Sequence, residues 1–201
     1  MNRPSTRSLS TPLLALAVIA VALQVVTADC IDYGSLLHWT GGIQTPYFAW
    51  TVVGDSDHVY LGDPQNGLYV VDITDPGSPK IVGHLPMPGQ SHDREVAGDY
   101  LYCADWVEGM QVINVADPTN PGWVGHLSLP GSCNGLTLRD NYVYLANRDL
   151  GLCVVDVSDP SSPTLVESEP SLGSPWKVAV DGTHAFVSEH ANGLSICPPE
   201  P

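Results

Sequence analysis

Residues 92–95 read His-Asp-Arg-Glu, which sets an imidazole, two carboxylates and a guanidinium side by side. A hydrolase or lyase assembles its general acid, general base and cationic clamp from such groups. Adjacency alone is a weak argument for a common site, because alternate residues of a strand face opposite ways. No nucleophile motif, zinc-ligand spacing or phosphate-binding loop accompanies the four, and His184 and His190 have no spacing that joins them to His92. The sequence therefore points to a non-enzymatic protein, with an enzyme built around His92–Glu95 as the alternative.

Spacing is more informative than adjacency. Trp50, His92, Asn134 and Trp176 follow one another at intervals of 42 residues. Indoles carried on loops suit sugar rings or the hot spots of a protein partner. These four, with Asp93 and Arg94, are the candidate ligand-binding residues. The alternative is that Trp50 and Trp176 plug apolar space between neighbouring units. Arg94 stands where the other units hold Val52, Leu136 and Val178, so it needs a carboxylate partner. Asp63, Asp105, Asn147 and Glu189 share another register, and four oxygen-bearing side chains around one axis could hold calcium. Each stands four residues before a hairpin glycine, where Asp and Asn are ordinary loop formers. No cofactor is expected, with calcium the remaining alternative. Asp75, Asp117 and Asp159 each precede a proline and read as turn residues.

The common interval comes from a repeat. Gly67–Pro79 reads GLYVVDITDPGSP, Gly109–Pro121 GMQVINVADPTNP and Gly151–Pro163 GLCVVDVSDPSSP, while Gly193–Cys197 stops at GLSIC. A period of about 40–50 residues signals stacked or radially arranged supersecondary units. Pro and Gly interrupt each unit too often for a long helix, and short β-rich runs lie between the turns. In the third unit the strands fall at 136–138, 142–146, 152–157 and 164–167. Leu68 and Val70 lie on one face of the third strand of the first unit, and Tyr69, Val71 and Ile73 on the other. A strand that is apolar on both faces belongs inside a stack of sheets. The expectation is an all-β β-propeller of four-stranded antiparallel blades.

Gly151–Pro160, GLCVVDVSDP, resembles the core of the LVIVD-repeat family, and Ile81-Val82-Gly83 and Val124-Gly125 match the short strand that follows it there. The resemblance spans residues 32–197. It implies a β-propeller of exported, often surface-associated bacterial or archaeal proteins, and brings no general enzymatic activity. The chain departs from the family in being short, and in reading Pro-Pro-Glu-Pro at 198–201 where Asp-Val-Ser-Asp-Pro should follow.

The units run over about 47–88, 89–130, 131–172 and 173–197, and the last lacks a fourth strand. Residues 36–46 align with 78–88 at the same offset, so the segment 32–46 is expected to complete that unit and close a ring of four blades. Cys30 and Cys197 then fall at adjacent registers, where a disulfide would fasten the ring; two unpaired cysteines at frayed ends are the alternative. Cys103 and Cys153 replace apolar strand residues and read as small buried hydrophobes.

Residues 1–28 read as a secretory signal peptide. Arg3 and Arg7 precede an apolar run over 13–26, shorter than the ~20 residues of a spanning helix, and Val26-Thr27-Ala28 offers a cleavage point. Its removal takes the formal charge from −15 to −17, because both arginines leave and no acid does. Such a surface repels nucleic acid and anionic lipid. The expected product is a secreted or cell-surface scaffold for a protein or carbohydrate ligand, without stable membrane insertion, as a monomer or a homodimer. A fragment or half-ring of a larger repeat protein is the further alternative.

Overall fold

The same punctuation recurs in every unit, so every unit folds alike. The computed structural model describes residues 40–46, 48–87, 89–170 and 172–198, and these are all-β. By internal contact the chain divides into residues 1–40 and 41–201, and the strands all lie in the second. The first unit supplies β1 (Thr51–Gly54), β2 (His58–Asp63), β3 (Gly67–Asp72) and β4 (Lys80–Leu85). The second supplies β5 (Ser91–Ala97), β6 (Tyr100–Asp105), β7 (Gly109–Asn114) and β8 (Gly122–Leu127). The third supplies β9 (Cys133–Arg139), β10 (Tyr142–Asn147), β11 (Gly151–Asp156) and β12 (Thr164–Glu169), and the fourth β13 (Pro175–Val180), β14 (Ala185–Glu189) and β15 (Gly193–Cys197).

Each unit is one antiparallel meander in chain order: three sheets of four strands, and β13-β14-β15 with three. The arrangement is β-propeller-like. Residues 40–46 form no strand, and residues 32–39, the rest of the segment expected to complete the fourth sheet, lie outside the described residues. The signal peptide and Cys30 lie outside them too. Cys197 carries a free, partly exposed thiol. No helix among the described residues is long and apolar enough to cross a membrane.

Turn chemistry accounts for the repeated Asp-Pro. The Asp75, Asp117 and Asp159 carbonyls accept the Ser78, Asn120 and Ser162 N–H groups at 2.9, 3.0 and 3.0 Å. Their Oδ1 atoms accept the Gly77, Thr119 and Ser161 N–H groups at 3.1, 3.0 and 3.0 Å. The Thr119 and Ser161 hydroxyls also donate to these carboxylates, which holds Asp117 and Asp159 below the usual carboxyl range.

The third strands of the first three units, β3, β7 and β11, are buried on both faces: Leu68, Tyr69, Val70 and Val71 of β3 are all 7% exposed or less, whereas β15 is largely exposed. Successive sheets stack face to face through three apolar clusters. Tyr60, Leu68 and Val70 meet Leu101, Cys103 and Ile113; Val112 and Met110 meet Val143, Leu145 and Val155; Tyr144 and Leu152 meet Val178 and Val187. Cys103 and Cys153 sit in these layers as buried hydrophobes. Close backbone approach adds to the docking. Gly83 of β4 lies against the Pro118 carbonyl of the next sheet, and Gly125 of β8 against that of Pro160, so closely that a Cβ would collide. Gly41 lies in the same way against the Pro76 carbonyl.

Candidate functional site

The first strands turn one irregularity to use three times. Pairing jumps from Ser91↔Asp105 to Asp93↔Ala104, from Cys133↔Asn147 to Gly135↔Ala146, and from Pro175↔Glu189 to Lys177↔Ser188. His92, Asn134 and Trp176 are thereby left unpaired on β-bulges, which bend a strand and re-aim a side chain. Trp50 holds the same register just before β1, its backbone N–H donating to the Gly62 carbonyl at 2.7 Å. All four side chains line one cavity of about 310 Å³, together with Thr51, Asp93 and Lys177, so all four sheets contribute to it.

His92 is the centre of an aromatic cluster. The Trp50 ring stacks on it at 5.5 Å and 13°, and the Trp106 and Trp176 rings stand tilted at 4.7 and 6.1 Å. The three indoles remain 54, 40 and 50% exposed, and Trp50 and Trp176 line the cavity with half or more of their surface accessible. Burial, and secondarily the Lys177 charge, pushes the His92 imidazole below its ordinary range. Its Nε2 is buried without a hydrogen-bond partner among the described residues. A neutral imidazole carries one donor and one acceptor nitrogen, and here Nε2 is closed off from the cavity.

The run 92–95 is pulled apart by strand alternation. Asp93 Oδ2 accepts the Leu136 N–H at 2.9 Å, and its Oδ1 pairs with Lys177 Nζ at 2.7 Å. Glu95 accepts the Leu138 N–H at 2.6 Å, so both acids of β5 stitch the backbone of β9. Arg94 faces the other neighbour. Its Nη1 donates to Thr51 Oγ1 at 2.6 Å and its Nη2 lies 3.7 Å from the Met87 sulfur. Among the described residues the guanidinium is hydrogen-bonded to a hydroxyl and forms no ion pair within 4 Å, and the carboxylate that feels its charge is the buried Asp105. Room for the buried guanidinium comes from Gly62, where a Cβ would collide with Nη1.

The polar ring of Asp63, Asp105, Asn147 and Glu189 is spent mostly on its own loops. Asp63 Oδ1 accepts the Gln65 and Asn66 N–H groups at 2.9 and 3.0 Å, and Asn147 Oδ1 those of Asp149 and Leu150, both at 2.9 Å. Glu189 accepts the Gly173 N–H at 2.7 Å and a bond from the Ser195 hydroxyl. Among the described residues, no group of three or more His, Cys, Asp or Glu is placed to hold a metal ion. Asp105 differs. It is fully buried, and neither oxygen reaches hydrogen-bond geometry. Burial raises its pKa, against the opposing pull of the nearby Glu108 and Val107 N–H groups and of Arg94.

A second chamber of about 260 Å³ adjoins the first, sharing Asn134 and Trp176 and adding Trp106, Arg148, His190, Ser132 and Ser174. Trp106, Arg148 and His190 occupy one register, where the first unit has Pro64. Sequence reasoning passed over that register, although its four different residues mark it as a place where the repeat fails. A larger cavity of about 490 Å³ lies between β10–β12 and β14–β15. Glu167, at the register of Gly83 and Gly125, lines it.

The LVIVD repeat profile matches the chain four times, over residues 49–85, 88–128, 130–169 and 172–197. No curated protein matches significantly. Among solved structures, the crystal structure of the computationally designed Ika4 protein superposes with a TM-score of 0.66 at 10% identity, covering 81% of this chain and 98% of that one. The computationally designed Ika8 protein superposes with a TM-score of 0.61, also at 10% identity, covering 73% of this chain and 44% of that one. At such identity the likeness concerns the fold alone.

Proposed function

The chain belongs to the LVIVD-repeat family, and we propose that it is an exported, four-bladed β-propeller acting as a non-enzymatic binding scaffold with its ligand site at the axial cavity. The observation that carries this reading is the convergence of Trp50, His92, Asn134 and Trp176, one from each repeat, on one cavity. A scaffold needs nearly identical units to build its sheets, and only residues free of that duty can diverge to serve a ligand. The dispersal of Asp93, Arg94 and Glu95 to structural bonds supports binding over catalysis.

Ring closure by residues 32–46 beside β15 is part of the proposal. Its support is that Gly41, 42 residues before Gly83, meets the Pro76 carbonyl as Gly83 and Gly125 meet those of Pro118 and Pro160. Light scattering should give a monomer; a dimer of twice the mass would replace the four-bladed ring with a half-ring pair. For the site, tryptophan emission is titrated with glycan and protein panels on wild type and Trp176→Ala. Binding that survives Trp50→Ala, His92→Ala and Trp176→Ala alike would remove the axial cavity as the site.

A further inference from the structure

The two chambers offer a ligand different things. In the first, the Lys177 charge is already met by Asp93 at 2.7 Å. In the second, Arg148 takes part in none of the ion pairs among the described residues and lines the chamber with Trp106, Trp176 and His190. Lys80, Arg94, Arg139, Arg148 and Lys177 are the only lysines and arginines after residue 28 in a chain with 22 acids, so an unpaired guanidinium in a chamber lined by two indoles is not background. Asn134 donates Nδ2–H to the Pro175 carbonyl at 2.9 Å, which leaves its Oδ1 without a protein donor among the described residues.

We propose that this second chamber binds a uronic-acid residue of an otherwise neutral glycan, with Trp106 and Trp176 against the sugar ring and Arg148 on its carboxylate. The inference rests on the axial-site reading above. A pyranose presents C–H faces that suit an indole and hydroxyls that both donate and accept. Asn134 Oδ1, His190 and the Ser132 and Ser174 side chains supply short polar partners around the same space. A guanidinium matches a carboxylate with two parallel bonds, roughly twice as strong as neutral ones.

Other ligand classes fit less well. A quaternary ammonium favours an aromatic cage, but here it meets Arg148 and Lys177. A continuous polyanion would lie across the surface of a chain of net charge −15, whereas a single carboxylate feels mainly Arg148, because charges beyond about 8 Å are screened at physiological salt. Together the chambers fall within the usual size of small-ligand sites, about 300–1,000 Å³.

The test is calorimetry and tryptophan emission on the full chain with three probes: a xylo-oligosaccharide bearing one glucuronate, its methyl ester, and the same oligosaccharide without glucuronate. The acid should bind about tenfold tighter than the ester, one charge-assisted pairing. Arg148→Gln should erase that preference, Arg148→Lys should keep part of it, and Trp176→Ala should weaken all three probes. Arg148 is exposed, so an unchanged melting temperature will show that its variants are folded. Equal affinity for acid and ester, untouched by Arg148→Gln, overturns the uronate assignment and leaves the axial site standing. Binding of none of the three also overturns it, while a protein ligand lost on Trp176→Ala would still uphold the scaffold.

Discussion

Gly62→Ala should cost far more than a methyl group, because Arg94 occupies the space where the Cβ would go. Arg94 is 7% exposed, its guanidinium is bonded to Thr51 Oγ1 at 2.6 Å, and the new Cβ would collide with both groups. The other units hold Ala104, Ala146 and Ser188 at the glycine's register and Val52, Leu136 and Val178 at the arginine's, so the two departures complement each other. Displacing Arg94 forfeits a hydrogen bond to a charged group, about 1.5–3 kcal/mol, and overpacking adds about 1 more. A loss of about 3 kcal/mol lowers the melting temperature by about 6–12 °C in a domain of this size. Arg94→Leu, the residue of the third unit, should cost less alone and should relieve the clash in the double variant. Thermal and urea melts of the four proteins then give a coupling energy of about 2 kcal/mol. Additivity within about 0.5 kcal/mol, or a Gly62→Ala protein that melts with wild type, would refute the proposed fit of Arg94 to Gly62.

Burial raises the Asp105 carboxyl above 3.8, so the folded chain holds that proton more tightly than the unfolded one. Asp105 thus supports the fold most at pH below 3.8 and withdraws that support as pH rises through its folded value. Asp105→Asn, which copies Asn147, should melt above wild type at pH 7, and melts across pH should show the advantage vanishing near pH 3.8. Glu95→Ala strands the Leu138 N–H and should cost about 1–3 kcal/mol, while Glu95→Gln keeps the acceptor and should melt within a few degrees of wild type. Gly125→Ala drives a Cβ into the Pro160 carbonyl, backbone that cannot step aside, and should cost about 1–3 kcal/mol; Gly122→Ala, which meets open space, should be near neutral in the same urea melts.

Strands and turns were legible because their causes are local. The sequence placed third-unit strands at 136–138, 142–146, 152–157 and 164–167, and β9 to β12 cover these positions with only small shifts at their ends. Glycine at the start of each third strand adopts φ of 77–96°, which alternation and turn chemistry foretell within a few residues. Trp50, His92, Asn134 and Trp176 were legible for another reason: a repeat supplies its own reference, against which departures stand out. Arg94 is anomalous in the sequence, but its hydrogen-bond partner is not legible there, since Thr51 lies 43 residues away and the space left by Gly62 is invisible without the sheets in place.

By itself, then, the sequence determined the period, the four strands of a unit and the registers at which the units differ. Those follow from side-chain periodicity and turn residues acting over short stretches of chain. The packing of sheet against sheet decided the rest: which departures share a cavity, that bulges aim them there, and that Trp106, Arg148 and His190 join Trp176 from a register of another strand. Apolar burial between the sheets drives that packing, and it is set by residues one or more whole units apart, a distance over which no local signal in the chain carries.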